Sequence, residues 1–157
     1  MTETELFLLL QTFSVYELNR FNKFLHSPYY NEDDVLVQLY SLLLPHFKTQ
    51  TQHALTQKTI WKNLKGNARF HAVKFARIFS DLLKKAEEFM VVDQLKHNES
   101  KKHIELLAVL NNRQLTKHYP EASKLTRKKL ERTSFRNGEY YFQLFQLEAT
   151  ENTFIEA

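Results

Sequence analysis

The chain has no cysteine, and only two glycines and three prolines among its 157 residues. Without cysteine there is no disulfide, no thiolate nucleophile and no cysteine-ligated zinc site. So little glycine and proline argues against a glycine-rich phosphate loop and against the tight turns of a hairpin-rich β-sandwich. No stretch nears the ~18 apolar residues of a membrane-spanning helix. The opening Met1-Thr-Glu-Thr-Glu5 is acidic where a secretory signal is basic, and the apolar run from Leu6 to Leu10 is too short for its core. These absences give the expectation of a cytoplasmic protein with no membrane contact. What the chain does have is thirteen phenylalanines, enough aromatic surface to build a core.

The pattern reads as helices between a few sharp stops. Ser14-Val15-Tyr16-Glu17 is a capping box, with Phe13 and Leu18 placed as its hydrophobic staple. Val15, Leu18, Phe21 and Leu25 recur at helical spacing, Phe24 widens the stripe, and Pro28 forces Ser27 out of the helical region. A short helix over about 3–11 precedes. Asn31 is the next candidate cap, with Glu32, Asp33 and Asp34 in the first turn, where the helix dipole favours negative charge. Residues 35–44 are apolar almost all round; Pro45 marks the expected end, and 46–55 reads as a loop. Thr56 caps a short helix to Leu64, and Gly66 suits a left-handed C-terminal position.

A long helix over about 68–95 is the expected central element. Its apolar face is Ala72, Phe75, Ala76, Phe79, Leu82, Leu83, Ala86, Phe89 and Met90, with Phe70 and Val73 on the opposite side towards a second neighbour. After the polar stretch 96–101, three helices are expected over about 102–118, 121–133 and 138–156. Pro120 takes a first helical position, and 134–138 forms a break. A shift of 37 residues superposes Ile104 on Tyr141, Leu107 on Leu144, Ala108 on Phe145 and Leu110 on Leu147, near the length of a tetratricopeptide hairpin. Phe154 and Ile155 lie at the end of the chain without a stop signal, so the sequence reads as cut from a longer array, with both side chains exposed or packed on another copy.

The run Phe21-Asn-Lys-Phe24-Leu25-His-Ser27-Pro28-Tyr29-Tyr30-Asn31 resembles a motif near the N-terminus of long, all-helical bacterial proteins. Asp81-Leu82-Leu83, Glu88-Phe89, Glu139-Tyr140-Tyr141 and Leu147-Glu148 look similar to later segments of the same proteins. The resemblance covers essentially this whole chain and the front of a typical member. It implies further helix hairpins of a tetratricopeptide-like kind, and it implies no activity. Lys65-Gly66-Asn67 departs from it, since relatives carry a longer turn there. Physically, the motif is a corner. Pro28 ends one helix, Asn31 starts the next, and Tyr29 and Tyr30 cover both helix ends with their hydroxyls wet. An aromatic docking site for a partner peptide is the competing reading.

Catalysis finds little footing. The seven histidines (26, 46, 53, 71, 97, 103 and 118) contain no i, i+4 pair around a glutamate, so no helical zinc site is indicated. His71 falls on the apolar face of the long helix and is expected to be buried there. No nucleophile elbow is present. Glu87-Glu88 and Asp33-Asp34 are neighbours in sequence, so each pair points about 100° apart on a helix rather than across a cleft. No catalytic residue, metal ligand or cofactor-binding residue emerges.

Charge is strongly segmented around a net +4. Residues 1–40 hold six acids and two bases, 56–85 eight bases and Asp81 alone, 101–136 ten bases and three acids, and 137–157 four acids and no base. The leading reading is an all-α protein, an N-terminal helical bundle over 1–96 followed by α-hairpin, tetratricopeptide-like repeats over 97–157. Its expected function is a non-catalytic protein-interaction scaffold, the front part of a longer solenoid. Lys124, Arg127, Lys128 and Arg132 crowd one helix and would meet an acidic partner. The alternative is a basic DNA-binding module, helix-turn-helix-like over 57–85, in which Arg69, Lys74 and Arg77 contact nucleic acid.

Overall fold

The computed structural model describes residues 2–49 and 55–155; within them there are eight helices and no strand. They are α1 (Thr2–Gln11), α2 (Val15–Leu25), α3 (Asp34–Thr49), α4 (Gln57–Lys65), α5 (Ala72–His97), α6 (Glu99–Asn112), α7 (Tyr119–Glu131) and α8 (Gly138–Ile155). The chain is therefore all-α. It divides into two compact units that part between Val91 and Val92, within α5, where the sequence reading places the boundary at 96/97.

The first unit is organised by rings. The capping box forms as read: Ser14 N donates to Glu17 Oε2 at 2.7 Å, and Glu17 N donates to Ser14 Oγ at 3.2 Å. It starts α2 so that Leu18, Phe21, Phe24 and Leu25 share one buried face. Phe21 sits centrally, its ring 4.8 Å from Tyr40, 5.3 Å from Phe89 and 6.0 Å from Phe13. Each such ring taken from water is worth about 1.5–3 kcal/mol. Tyr40 is fully buried, and its hydroxyl donates to the Leu18 carbonyl at 2.8 Å, which satisfies the one polar atom it brings inside. Burial pushes its phenol pKa up.

Several boundaries differ from the reading. The third helix runs through Pro45 to Thr49, although proline removes one backbone bond there. The turn beyond it is held by tertiary packing, with Phe7 against His46 and Phe47 at 6.1 and 5.4 Å. Residues 50–54 of the expected loop lie outside the described residues. The long helix starts at Ala72, not 68, because His71 serves as its cap: His71 Nδ1 accepts from Lys74 N at 3.3 Å. His71 is accordingly exposed rather than buried. The buried stripe of α5 is only Phe75, Phe79, Leu82, Ala86 and Phe89. Ala72 and Ala76 are exposed, Met90 is 44% exposed, and Val73, expected to face a second neighbour, is 73% exposed. Phe70 lies before the helix and packs against Trp61 and Phe75, each at 5.5 Å.

In the second unit α6, α7 and α8 each pack on the other two. Leu107, Tyr119, Leu130, Tyr140 and Leu147 form the core, with Leu110, Ala122, Leu144 and Phe154 against it. The start of α6 is set by Asn98, whose Oδ1 accepts from Lys101 N at 2.9 Å; the polar stretch 96–101 holds the end of α5, this cap and the first turn of α6. Its end comes at Asn112, because Gln114 takes φ +53°. The amides of Gln114 and Leu115 reach back to Asn111 O and Leu110 O at 2.9 and 3.0 Å, a Schellman closure without glycine. Phe154 is half-buried, its ring stacked 3.9 Å from Tyr119 rather than exposed. The side chain of Ile155 and residue 156 lie outside the described residues. The 37-residue register also shifts. It would pair buried Ile104 with Tyr141, 58% exposed, whereas burial superposes one residue earlier, Ile104 on Tyr140 and Leu107 on Gln143.

Candidate functional site

The Ser27–Asn31 corner is specified by side-chain and backbone hydrogen bonds together. Asn31 is buried, and its side chain brackets the corner: Nδ2 donates to Leu25 O at 2.9 Å and to Asp33 O at 3.1 Å, while Oδ1 accepts from Asp33 N at 3.2 Å. It is thus not the cap of α3. Asp33 takes that place, its Oδ1 accepting from Val35 N at 2.9 Å. Phe21, Phe24 and Leu25 are core. Ser27 O accepts from the amides of Tyr30 and Asn31 at 3.0 and 2.9 Å, which folds the chain tightly after exposed Pro28. Tyr30 stacks on Phe24 at 4.4 Å, as a ring covering a helix end should. Tyr29 does not: it is 88% exposed. The corner and α5 line an open groove of about 710 Å³, with Glu32, Asp33, Asp81, Lys84, Lys85 and Glu88 around it. Lys85 fixes its wall by donating to the Tyr30 carbonyl and to Glu88 Oε2.

The sequence-predicted bases separate into free and committed groups. Arg69 and Lys74 are exposed, and neither pairs with a carboxylate among the described residues. Arg77 lies 3.7 Å from Asp81 across a surface pair of small energetic worth. The six residues between α4 and α5 exceed the three or four of a helix-turn-helix turn. Lys124 and Lys128 on α7, and Arg132 just past its end, are exposed. Arg127 does not join them. It is half-buried, with Nη2 2.5 Å from Glu151 Oε2 on α8.

Two polar clusters tie the second unit together. Glu151 also accepts from the Ser123 hydroxyl, and the Tyr119 hydroxyl is buried with no hydrogen-bond partner among the described residues. Burial first, and the Glu151 charge second, hold the Tyr119 phenol above its ordinary pKa. The carboxylate that Ser123 meets is thus shared with the Arg127 guanidinium. Between α6 and α7, Lys129 Nζ lies 2.6 Å from His103 Nε2 and 3.2 Å from Glu99 Oε2. Hydrogen bonds from Lys102 and then Lys129 hold the exposed Glu99 carboxyl below its usual range. Burial and the Lys129 charge hold His103 below its own. Among the described residues no three His, Asp or Glu side chains gather in a way that could hold a metal ion.

Sequence reasoning misplaced one surface altogether. Tyr141, Phe142 and Phe145 are 58, 60 and 65% exposed, on the side of α8 away from α6 and α7. Tyr141 and Phe145 had the spacing of a core stripe, and only the register of Tyr140, Gln143 and Leu147, which are buried, reveals which stripe turns inward. Exposed Glu148 lies on the same outer side, and residues 137–155 carry no base. Among the described residues no helix is long and apolar enough to cross a membrane.

No family model matches the chain, and neither a curated protein nor a solved structure matches it.

Proposed function

We propose that the chain is a non-catalytic protein-interaction scaffold of the α-hairpin kind, acting in the cytoplasm, with the outer face of α8 as the surface a partner covers. The observation that carries this is the aromatic trio Tyr141, Phe142 and Phe145, more than half exposed on one side of a helix whose other side closes a core. Large aromatic side chains anchor protein interfaces, and three of them side by side form a contiguous apolar patch. The packing of α6, α7 and α8 on one another supports the tetratricopeptide-like reading, since two helices of one hairpin and the first of the next pack in this way. Exposed Lys124 and Lys128 on α7 and Arg132 at its end, beside Leu125 at 46% exposure, give an acidic partner a second edge.

Placing a photocrosslinking phenylalanine analogue at position 145 in the living host tests this. A discrete protein adduct is expected from position 145 and none from exposed Lys117. The adduct should vanish when Tyr141 and Phe142 are both changed to Ser, a variant whose helicity and melting should match the parent. Equal adducts from 145 and 117, or none from either, overturn the reading.

A further inference from the structure

From α4 we infer a second binding surface, independent of the α8 face: a row of three lysines that takes the phosphate backbone of duplex nucleic acid without reading its sequence. Ile60, Trp61 and Leu64 are buried, so α4 is fixed with one face inward. Lys58, Lys62 and Lys65 recur at i, i+4 and i+7, within an arc of about 60° on the opposite, exposed face. Thr56 holds the start of the helix, accepting from Thr59 N at 3.2 Å, and the Trp61 indole donates to Ala68 O at 2.9 Å beyond its end. The lysines therefore stand on a rigid support. They span about 10 Å of helix axis, or three steps of about 3.4 Å along one strand, so the three ammonium groups can reach separate phosphates within one run of four.

Nothing among the described residues neutralises the row. Arg77 and Lys84 both reach Asp81, and Lys85 reaches Glu88, but none of the three α4 lysines lies within ion-pair distance of a carboxylate. Residues 55–80 hold no acid at all. An acidic protein is the poorer fit. Protein interfaces are depleted in lysine and need an apolar anchor at their centre, whereas the outer face of α4 offers only lysine with Thr59 and Asn63. Phosphate contacts need no such anchor and are made by these residue types. The α7 row differs in this respect, having Leu125 exposed beside it.

The test is fluorescence anisotropy of the whole chain against a short mixed-sequence duplex DNA. Three phosphates neutralised give a salt slope near −2.7, so affinity should fall about forty-fold between about 50 and 200 mM salt. Changing Lys58, Lys62 and Lys65 together to Gln should abolish most of that slope, and changing the same three to Arg should preserve it. Changing Lys124, Lys128 and Arg132 to Gln should leave it unaltered. No salt-sensitive binding, a slope lost with the α7 variant instead, or polyglutamate binding as tightly as the duplex would each overturn the inference, the last in favour of an acidic protein.

Discussion

The ammonium of Lys129 lies 2.6 Å from the Nε2 atom of His103, a cation donating to an imidazole that must be neutral to accept. Protonation of His103 would set two like charges in contact, and Lys102 adds a further positive charge nearby. Glu99, 3.7 Å from His103, is the one group that favours the proton. Burial and Lys129 outweigh it, and the folded pKa lies below the ordinary 6.5.

The pH dependence follows from that direction. Because the unfolded chain takes up the proton first, the stability tied to neutral His103 is present above about pH 6.5 and drains away as pH falls from there through the folded value. Urea unfolding at neutral and mildly acidic pH should show this loss in the parent and less of it in His103→Gln. A His103 resonance titrating at or above the ordinary histidine value would contradict the geometry.

Two helix ends respond oppositely to glycine chemistry. Gln114 closes α6 at φ +53°, a conformation costing an L-residue about 1–2 kcal/mol. Gln114→Gly should therefore stabilise the chain by about 0.5–1 kcal/mol, after allowing for glycine's freer unfolded state. Gly66 has φ +60° and ψ −131°, and a Cβ built there meets nothing within 4 Å. Gly66→Ala should still destabilise by about 1–3 kcal/mol, since the cost is backbone conformation alone. Denaturant midpoints of the two variants should move in opposite directions.

The corner before α3 makes a similar contrast between neighbours. Asn31→Ala leaves Leu25 O and the Asp33 backbone without their partner inside the fold, a loss of about 1–3 kcal/mol. Tyr29→Ser, two residues away and 88% exposed, should change stability by less than about 0.5 kcal/mol. Equal losses from the two, measured by chemical unfolding, would mean that Asn31 is not the bracket of the corner.

Local signals were legible at some of the places where a side chain meets its own backbone. Ser14, Thr56 and Gly66 each stand where a capping or termination rule places them. Part of what escaped was decided by distant packing, and part by local residues with no strong rule attached to them. Pro45 reads as a stop, yet Phe7 on another helix steadies the turn beyond it. Gln114 ends α6 with no glycine to announce it, and Asn98 begins that helix inside a stretch that reads only as polar. The surfaces were harder still. Periodicity finds two stripes on α8 but not which of them faces α6 and α7, and spacing cannot say that Arg127 turns to Glu151 while Lys124 and Lys128 turn to solvent.

The stacking of Phe154 on Tyr119 has a consequence for how the second unit opens. Helix α7 begins at His118 without a side-chain cap, so its first turn leans on a ring borrowed from the final turn of α8. Fraying at that far end is then not a local event: it releases the clasp on α7, and the two ends come apart together.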